Sequence, residues 1–238
     1  MKKISLLMKI RQSITNLTKS TPHFINQNVI KDNNFFKFSY SIIKQSLLAL
    51  IICAIGDLCA GLILGNMTSY LAAWPGLLTL VPGAIGMRGN IFGSFGSRLG
   101  TDLNIGMLPP KIEKSKILSQ NIISSMILTM TLSICLAFIT KILCVIFNLP
   151  SMSIFDFILV SFFAGLISSV IMLPLSMLIS LKSFQHGWDP DNITTPLIAA
   201  FGDLFTLPSI ILSVLLLSSF HNITVLRNII AILAVIIA

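Results

Sequence analysis

The chain contains 238 residues, of which 55% are hydrophobic and 10% are charged, and its mean hydropathy is +0.93. This composition lies far outside the range of soluble globular proteins and predicts an integral membrane protein. The formal net charge of +8 does not indicate a nucleic-acid-binding domain. Eight of the sixteen lysines and arginines lie in residues 1–44, and three more lie in one polar loop, at Lys111, Lys114 and Lys116.

The first 41 residues are predicted to form a basic, largely flexible cytoplasmic tail. The chain begins like a signal peptide, but Lys9 and Arg11 interrupt the apolar stretch and no small-residue cleavage site follows. We therefore expect no cleavage. Residues 1–12 have the composition of a short basic helix that lies on the inner leaflet.

The apolar residues after the tail form long blocks, which predict transmembrane helices. Lys141 is expected to snorkel from the outer end of the third helix, and Asp191 or Asn192 is a candidate N-cap for the fifth. Pro75, Pro82 and many glycines are expected to interrupt the second. The predicted spans are 42–65, 70–101, 117–147, 152–181 and 192–219. Residues 220–238 form a further hydrophobic segment, whose apolar part is too short to span.

The distribution of positive charge predicts the orientation of these helices. With the tail inside, the loops 102–116 and 182–191 also lie inside, and both contain lysine. The remaining loops, near 66–69, 148–151 and 220–222, contain no lysine or arginine. The positive-inside rule therefore predicts a cytoplasmic N-terminus. We expect a multi-pass protein of the cell membrane, surrounded by the lipid bilayer.

The second span contains glycines at spacings of three and four, which place them on one helix face. One interpretation is close helix packing through small residues. The other is a glycine-lined pore that lets a hydrated ion approach the backbone, and Arg88 and Asn90 favour it because polar side chains at that depth need a cavity or a partner. The two interpretations are compatible. The glycines are Gly83, Gly86, Gly89, Gly93, Gly96 and Gly100.

Two aspartates lie within apolar spans, each in the tripeptide Gly-Asp-Leu: Asp57 and Asp203. A carboxylate at the centre of a spanning helix costs at least ~2.5–3.5 kcal/mol on insertion scales, so it marks a candidate ion or proton path. Both helices are predicted to run outward, which puts the two carboxylates at similar depth near the midplane. For Asp57 the alternatives are a salt bridge to Arg88 or Arg98, or a chance tripeptide match. For Asp203 the alternative is a buried structural carboxylate.

No catalytic or cofactor site is predicted. The sequence lacks a phosphate-binding loop, a serine-histidine-aspartate arrangement and a metalloprotease motif. The three histidines, His23, His186 and His221, are far apart in tails or loops. The cysteines fit no zinc spacing and imply no disulfide; they are Cys53, Cys59, Cys135 and Cys144. We expect a transport protein and not an enzyme.

Three stretches together resemble the membrane domain of the MgtE family of magnesium transporters, in an archaeal half-size form similar to one half of the animal solute-carrier family 41 transporters. The first runs from Pro82 to Gly106, with Gly-Arg-Gly-Asn followed by Ser-Arg-Leu. The second is Asp189-Pro190-Asp191-Asn192, followed by Ile-Thr-Thr-Pro. The third is Gly202-Asp203-Leu204. The resemblance covers about 42–219.

The resemblance implies an all-α, five-helix membrane domain over 42–219, with a short partial helix in 220–238, that acts as a two-fold dimer. Its second and fifth helices would line a central pore in which Asp203 binds largely hydrated Mg²⁺. The Gly-Asn pair carries over to Gly89 and Asn90. Further pore-facing positions would fall near Ser97, Thr195, Ala199 and Thr206, and Asp57 is a second candidate metal ligand.

This chain also departs from the family pattern. Only 41 residues precede the first predicted span, so we expect no cytosolic gating domain of the bacterial kind, and Asp102 stands where a small residue is expected. A single half must pair with a second copy of itself or with a paralogous half. Transport of Mg²⁺ or another divalent cation is the leading hypothesis. The alternatives are Na⁺- or H⁺-coupled transport of another solute, and a non-conducting half of a heterodimeric transporter.

Overall fold

The computed structural model describes residues 34–111, 113, 115–188, 190–219 and 224–237. Within these ranges the regular structure is entirely helical, so the predicted all-α class is confirmed. Seven helices follow one another: α1 (Asn34–Asn66), α2 (Thr68–Ala73), α3 (Leu77–Asn104), α4 (Lys116–Ile146), α5 (Ile154–Gln185), α6 (Pro190–Ser219) and α7 (Thr224–Ile237). The predictions for most of the N-terminal tail, and for His23, His221 and Asp189, lie outside the described residues.

The chain divides into two units, residues 1–44 and 45–238. The described part of the first unit is the beginning of α1, which starts at Asn34 although the sequence predicted a start near residue 42. The second unit contains the rest of the molecule. In it, α1 is mostly exposed and presents a line of small residues to its neighbours, with Ala49 and Ala60 buried.

The second predicted span is broken at one proline and continuous through the other. α2 ends before Trp74-Pro75-Gly76, where Gly76 adopts a left-handed conformation with φ of 84°. A Cβ at this glycine would lie 2.7 Å from the ring Cζ of Phe157. Conformation and space both require glycine here, so the predicted interruption at Pro75 is confirmed. Pro82 lies inside α3, and the predicted interruption there is wrong, since one lost backbone donor does not end a long helix packed on its neighbours.

Among the described residues, four helical segments are long and apolar enough to cross a membrane. They are Ser46–Asn66, Lys116–Ile146, Ile154–Gln185 and Ile193–Ser219, which match the first, third, fourth and fifth predicted spans. α3 has 28 residues, or roughly 42 Å at the α-helical rise. It is therefore also long enough to cross, although its glycines and charged side chains lower its hydropathy. The protein is a multi-pass membrane protein, and its orientation stays a prediction.

The core lies where α3, α5 and α6 pack together, with α4 against α3 and α5. α7 packs on α5 through Ala231 and Ala234, which are buried. With 14 residues it is shorter than the ~20 that a spanning helix needs, in agreement with the predicted short terminal segment. α6 begins at Pro190, so Asp191 and Asn192 lie within its first turn, and the predicted cap position is wrong. Proline favours the first helical position because its missing N–H has no helical acceptor there.

Lys141 has a structural role that the sequence did not indicate. Its ammonium group donates to Ser151 Oγ and to the Met152 carbonyl oxygen, both at 2.9 Å, and the predicted snorkelling to the outer interface stays a prediction. These bonds tie α4 to the segment before α5. Ser153 then caps α5 by accepting from the Asp156 backbone N–H at 3.2 Å.

Candidate cation pathway

α3 and α6 approach each other closely because small residues face small residues. A Cβ on Gly202 would lie 3.4 Å from the backbone nitrogen of Gly89 and 3.5 Å from its Cα. A Cβ on Gly89 would lie 3.7 Å from the Cα of Ala199, and one on Gly93 would lie 3.6 Å from the Thr195 methyl group. The packing interpretation is therefore confirmed for this part of the glycine face.

The other glycines of α3 do not share one environment. A Cβ on Gly96 would lie 2.7 Å from Thr194 Cγ2 of α6, and one on Gly83 would lie 2.6 Å from Leu136 Cδ1 of α4, whereas the position at Gly86 is open. A Cβ on Gly86 would meet nothing within 4 Å. With Asn90 and Ser94, Gly86 forms a row of exposed residues at steps of four, which places them on one side of α3. Farther along the same side, Ser97 is half-buried and Thr101 is exposed. We call Gly86, Asn90, Ser94, Ser97 and Thr101 the α3 row.

A matching row runs along α6 through the predicted fifth-helix positions. Thr195 is exposed, and Ala199 and Asp203 are half-exposed, again at steps of four. Because Gly89 contacts Ala199, the two rows lie on adjacent helices. Thr206 differs from the expectation: it is 0% exposed, its hydroxyl has no hydrogen-bond partner, and it points into the core instead of continuing the row.

The two Gly-Asp-Leu tripeptides meet in the structure. α1 contacts α6 at Gly56, where a Cβ would lie 3.1 Å from the Ala200 Cβ. The adjoining carboxyl groups of Asp57 and Asp203 lie close enough to interact electrostatically. Asp57 also accepts from the Cys53 thiol, with Sγ and Oδ2 3.8 Å apart. This proximity agrees with the predicted similar depth of the two carboxyls, and their place near the midplane stays a prediction.

The arginines do not neutralise this pair. Arg88 is 0% exposed, its Nη1 donates to the Ala84 carbonyl oxygen at 3.4 Å, and its Nε and Nη2 have no partner. The alternative of a salt bridge from Asp57 to Arg88 is therefore wrong, and Arg88 lies away from the exposed row. Arg98 turns toward α4, where its Nη2 donates to Ser125 Oγ at 3.2 Å.

α4 and α5 present to Arg88 a polar face that was not predicted from the sequence. A Cβ on Gly165 would lie 3.7 Å from Arg88 Nη2 and 2.7 Å from Ser133 Oγ, so these groups surround one small space. The detectable signal was a run of hydroxyl residues at steps of four on α4. The buried hydroxyl residues of this region are Ser125, Thr129, Ser133, Ser168 and Ser169.

The described part of one protomer does not build a complete metal cage. It contains no group of three or more histidine, cysteine, aspartate or glutamate side chains that could hold an ion. It offers one pair of carboxyls, Asp57 and Asp203, on helices next to the α3 row. Hard oxygen ligands in small number suit Mg²⁺, which dehydrates reluctantly and keeps several waters.

Comparison with known proteins agrees with this arrangement. The family model MgtE, described as a divalent cation transporter, matches residues 81–214, which include both rows and Asp203. Solute carrier family 41 member 3 of Mus musculus is 29% identical over 175 residues, which cover 68% of this chain and 34% of the relative. Human solute carrier family 41 member 2 is 27% identical over 175 residues, covering 68% of this chain and 29% of the relative.

This chain thus spans about a third of the length of these curated relatives. No solved structure matches it significantly. The family match covers more than half of the chain, and it includes the glycine-packed helix pair and the intramembrane aspartate described above. The chain belongs to the MgtE family of divalent cation transporters.

Proposed function

We propose that this protein moves divalent cations, Mg²⁺ foremost, across the membrane through a pore between two copies of the chain. Asp203 is the ion site and Asp57 adds a second carboxylate from the same protomer. The observation that carries the proposal is the contact between these two carboxyls at one end of the small-residue packing between α3 and α6. Two carboxylates in an apolar span are costly unless a cation or a proton compensates them.

The ion would be held mainly through its water shell. Asn90 and the glycine backbone of the α3 row offer polar groups and room, and they add no further charge. A site with few direct ligands leaves most of the hydration shell of Mg²⁺ intact, so the ion can enter and leave. The channel-lining residues are Asn90, Gly89, Asp203, Asp57, Ser97, Thr195 and Ala199.

A second copy would complete the pathway. The α3 row is exposed along the protomer although it is polar and lies within a membrane helix, where polar surface is unfavourable against lipid. A two-fold partner applied to the same face would cover both rows and bring a second Asp203 to the axis. The partner is another copy of this chain or a paralogous half.

The decisive experiment measures divalent-ion flux into proteoliposomes that contain only this chain. Asp203→Asn should abolish Mg²⁺ flux while the protein remains folded in the membrane, because the substitution removes the charge and keeps the shape. Glu113→Gln, which neutralises an exposed loop carboxylate, should leave flux unchanged and serves as the matched control. Flux like that of the unsubstituted protein in Asp203→Asn would exclude Asp203 as the ion site.

The carboxyl contact also supports a second candidate, which is exchange of the cation for protons. The repulsion between two neighbouring carboxylates can be relieved by a proton as well as by a cation, and a divalent ion bound there would displace such a proton. A pH-sensitive dye inside the liposomes should then report proton movement opposite to Mg²⁺. Flux that is indifferent to pH and Na⁺ gradients would favour a channel, and no flux without an added paralogue would favour a heterodimer.

A further inference from the structure

A polar cavity of about 360 Å³ lies between the end of α3 and the beginning of α4, away from the aspartate pair. Its volume is many times the ~10–15 Å³ of probe-occupied space that one water requires, so a hydrated ion fits. The polar lining comes from both helices: Ser97, Arg98, Thr101, Asp102, Gln120 and Asn121.

The carboxylate of this cavity is held in place. Asn121 Nδ2 donates to Asp102 Oδ2 at 3.1 Å, which fixes the carboxylate and leaves its other oxygen for a ligand. Thr101 Oγ1 donates to the Ser97 carbonyl oxygen at 3.2 Å, so its lone pairs remain as acceptors. Carboxylate, hydroxyl and amide oxygens together form a donor set for a hard cation that keeps part of its water.

The guanidinium group of Arg98 lies one turn from Asp102 on the same helix. Its Nη2 is engaged by Ser125 of α4, and its Nε is buried without a partner. A fixed positive charge one turn away weakens cation binding without removing it, as suits a site that must release its ion.

The cavity lies at one end of the α3 row. Ser97 and Thr101 belong to both, so the cavity opens onto the same side of α3 as Asn90. Gly202 packs on Gly89, and Asp102 follows Gly89 by thirteen residues, or roughly 20 Å of helix. A cation at Asp102 would thus be separated from the one at Asp203 by about two thirds of the ~30 Å hydrocarbon core.

We propose that this cavity is a low-affinity capture site for a hydrated divalent cation, centred on Asp102 and weakened by Arg98. The inference rests on the proposed cation transport, and it adds a second ion position at the predicted cytoplasmic end of the pathway.

The test is Mn²⁺ binding to the purified full chain in nanodiscs, followed by electron paramagnetic resonance. We expect two classes of Mn²⁺: Asp102→Asn removes the weaker class, and Asp203→Asn removes the other. Arg98→Gln should tighten the weaker class by at least about threefold, since it removes a repulsive charge. Asn104→Ala, an exposed change at the end of the same helix, is the control.

Weaker Mn²⁺ binding in Asp102→Asn together with tighter binding in Arg98→Gln would identify an electrostatic site. A folding defect would instead weaken Mn²⁺ binding in both variants. Unchanged binding in Asp102→Asn overturns the proposal, as does binding of inorganic phosphate that depends on Arg98 in place of Mn²⁺. If the unsubstituted protein shows only the class that Asp102→Asn removes, and Asp203→Asn changes nothing, this site stands and the proposed function fails, so the two failures are distinguishable.

Discussion

In the structure Asp57 has a partner, Asp203, whose carboxyl group lies close to its own. In sequence it shared only a tripeptide and a depth with Asp203, and a salt bridge to an arginine explained it equally well. Helix spacing could not decide between these, because the rotation of α1 against α6 depends on the close approach of Gly56 to Ala200. The structure removes Arg88 as a partner and brings the two carboxyls together.

Asp57→Asn should weaken Mg²⁺ binding by roughly tenfold, because one of the two charges that attract the ion is lost. Binding should not disappear, since Asp203 remains. The affinity can be measured by Mn²⁺ titration in nanodiscs with Mg²⁺ as competitor. Cys53→Ala removes the weak thiol donor to Asp57 and should change the affinity little. Equal affinity in Asp57→Asn and the unsubstituted protein would exclude Asp57 from the site.

At the scale of the helices, α3 uses one set of glycines for two purposes. Gly89 and Gly93, together with Gly202 of α6, allow close packing of α3 and α6, whereas Gly86 faces open space. The sequence placed all the glycines of α3 on one face and left packing and pore as compatible interpretations. It could not divide them, because the division depends on where α6 crosses α3.

Gly202→Leu and Gly86→Leu separate these two purposes. Gly202→Leu should lower the free energy of unfolding by about 1–3 kcal/mol, because the side chain meets the backbone of Gly89 and forces the helices apart. Gly86→Leu should leave the stability of the protomer unchanged and reduce ion flux, since its side chain enters the exposed row. Thermal unfolding in detergent and liposome flux measure the two effects. Equal destabilisation by both would contradict this division.

For the molecule as a whole, the sequence predicted the helix order and most helix ends, because long apolar blocks and charged loops are local signals. What it could not predict depends on contacts between helices. Thr206 was expected on the pathway by helical spacing from Asp203, but it faces the core. Arg88 was expected to favour the pore, but a hydroxyl-rich surface on α4 and α5 receives it. Pro82 was expected to interrupt α3, which continues through it.

If two copies of the chain pair about a two-fold axis, residues near that axis should cross-link between the copies. Asn90→Cys, placed in a background in which the four native cysteines are replaced by serine or alanine, should form a disulfide between two copies on mild oxidation. Residues near a two-fold axis lie opposite their own symmetry mates, so one substitution suffices. Non-reducing electrophoresis of membranes measures it. Ile127→Cys, on the exposed apolar side of α4, should remain monomeric, and the same cross-linking at both positions would contradict the axis.

The contact at Gly56 has a consequence for how the transporter could open and close. α1 is mostly exposed, yet it contributes half of the carboxyl pair. Any tilt of α1 away from α6 would therefore separate Asp57 from Asp203 and weaken the binding of a cation at the site proposed above. By thermodynamic linkage, an ion that prefers both carboxylates draws α1 inward, and departure of the ion releases it. The position of α1 against α6 would then depend on whether the site holds an ion.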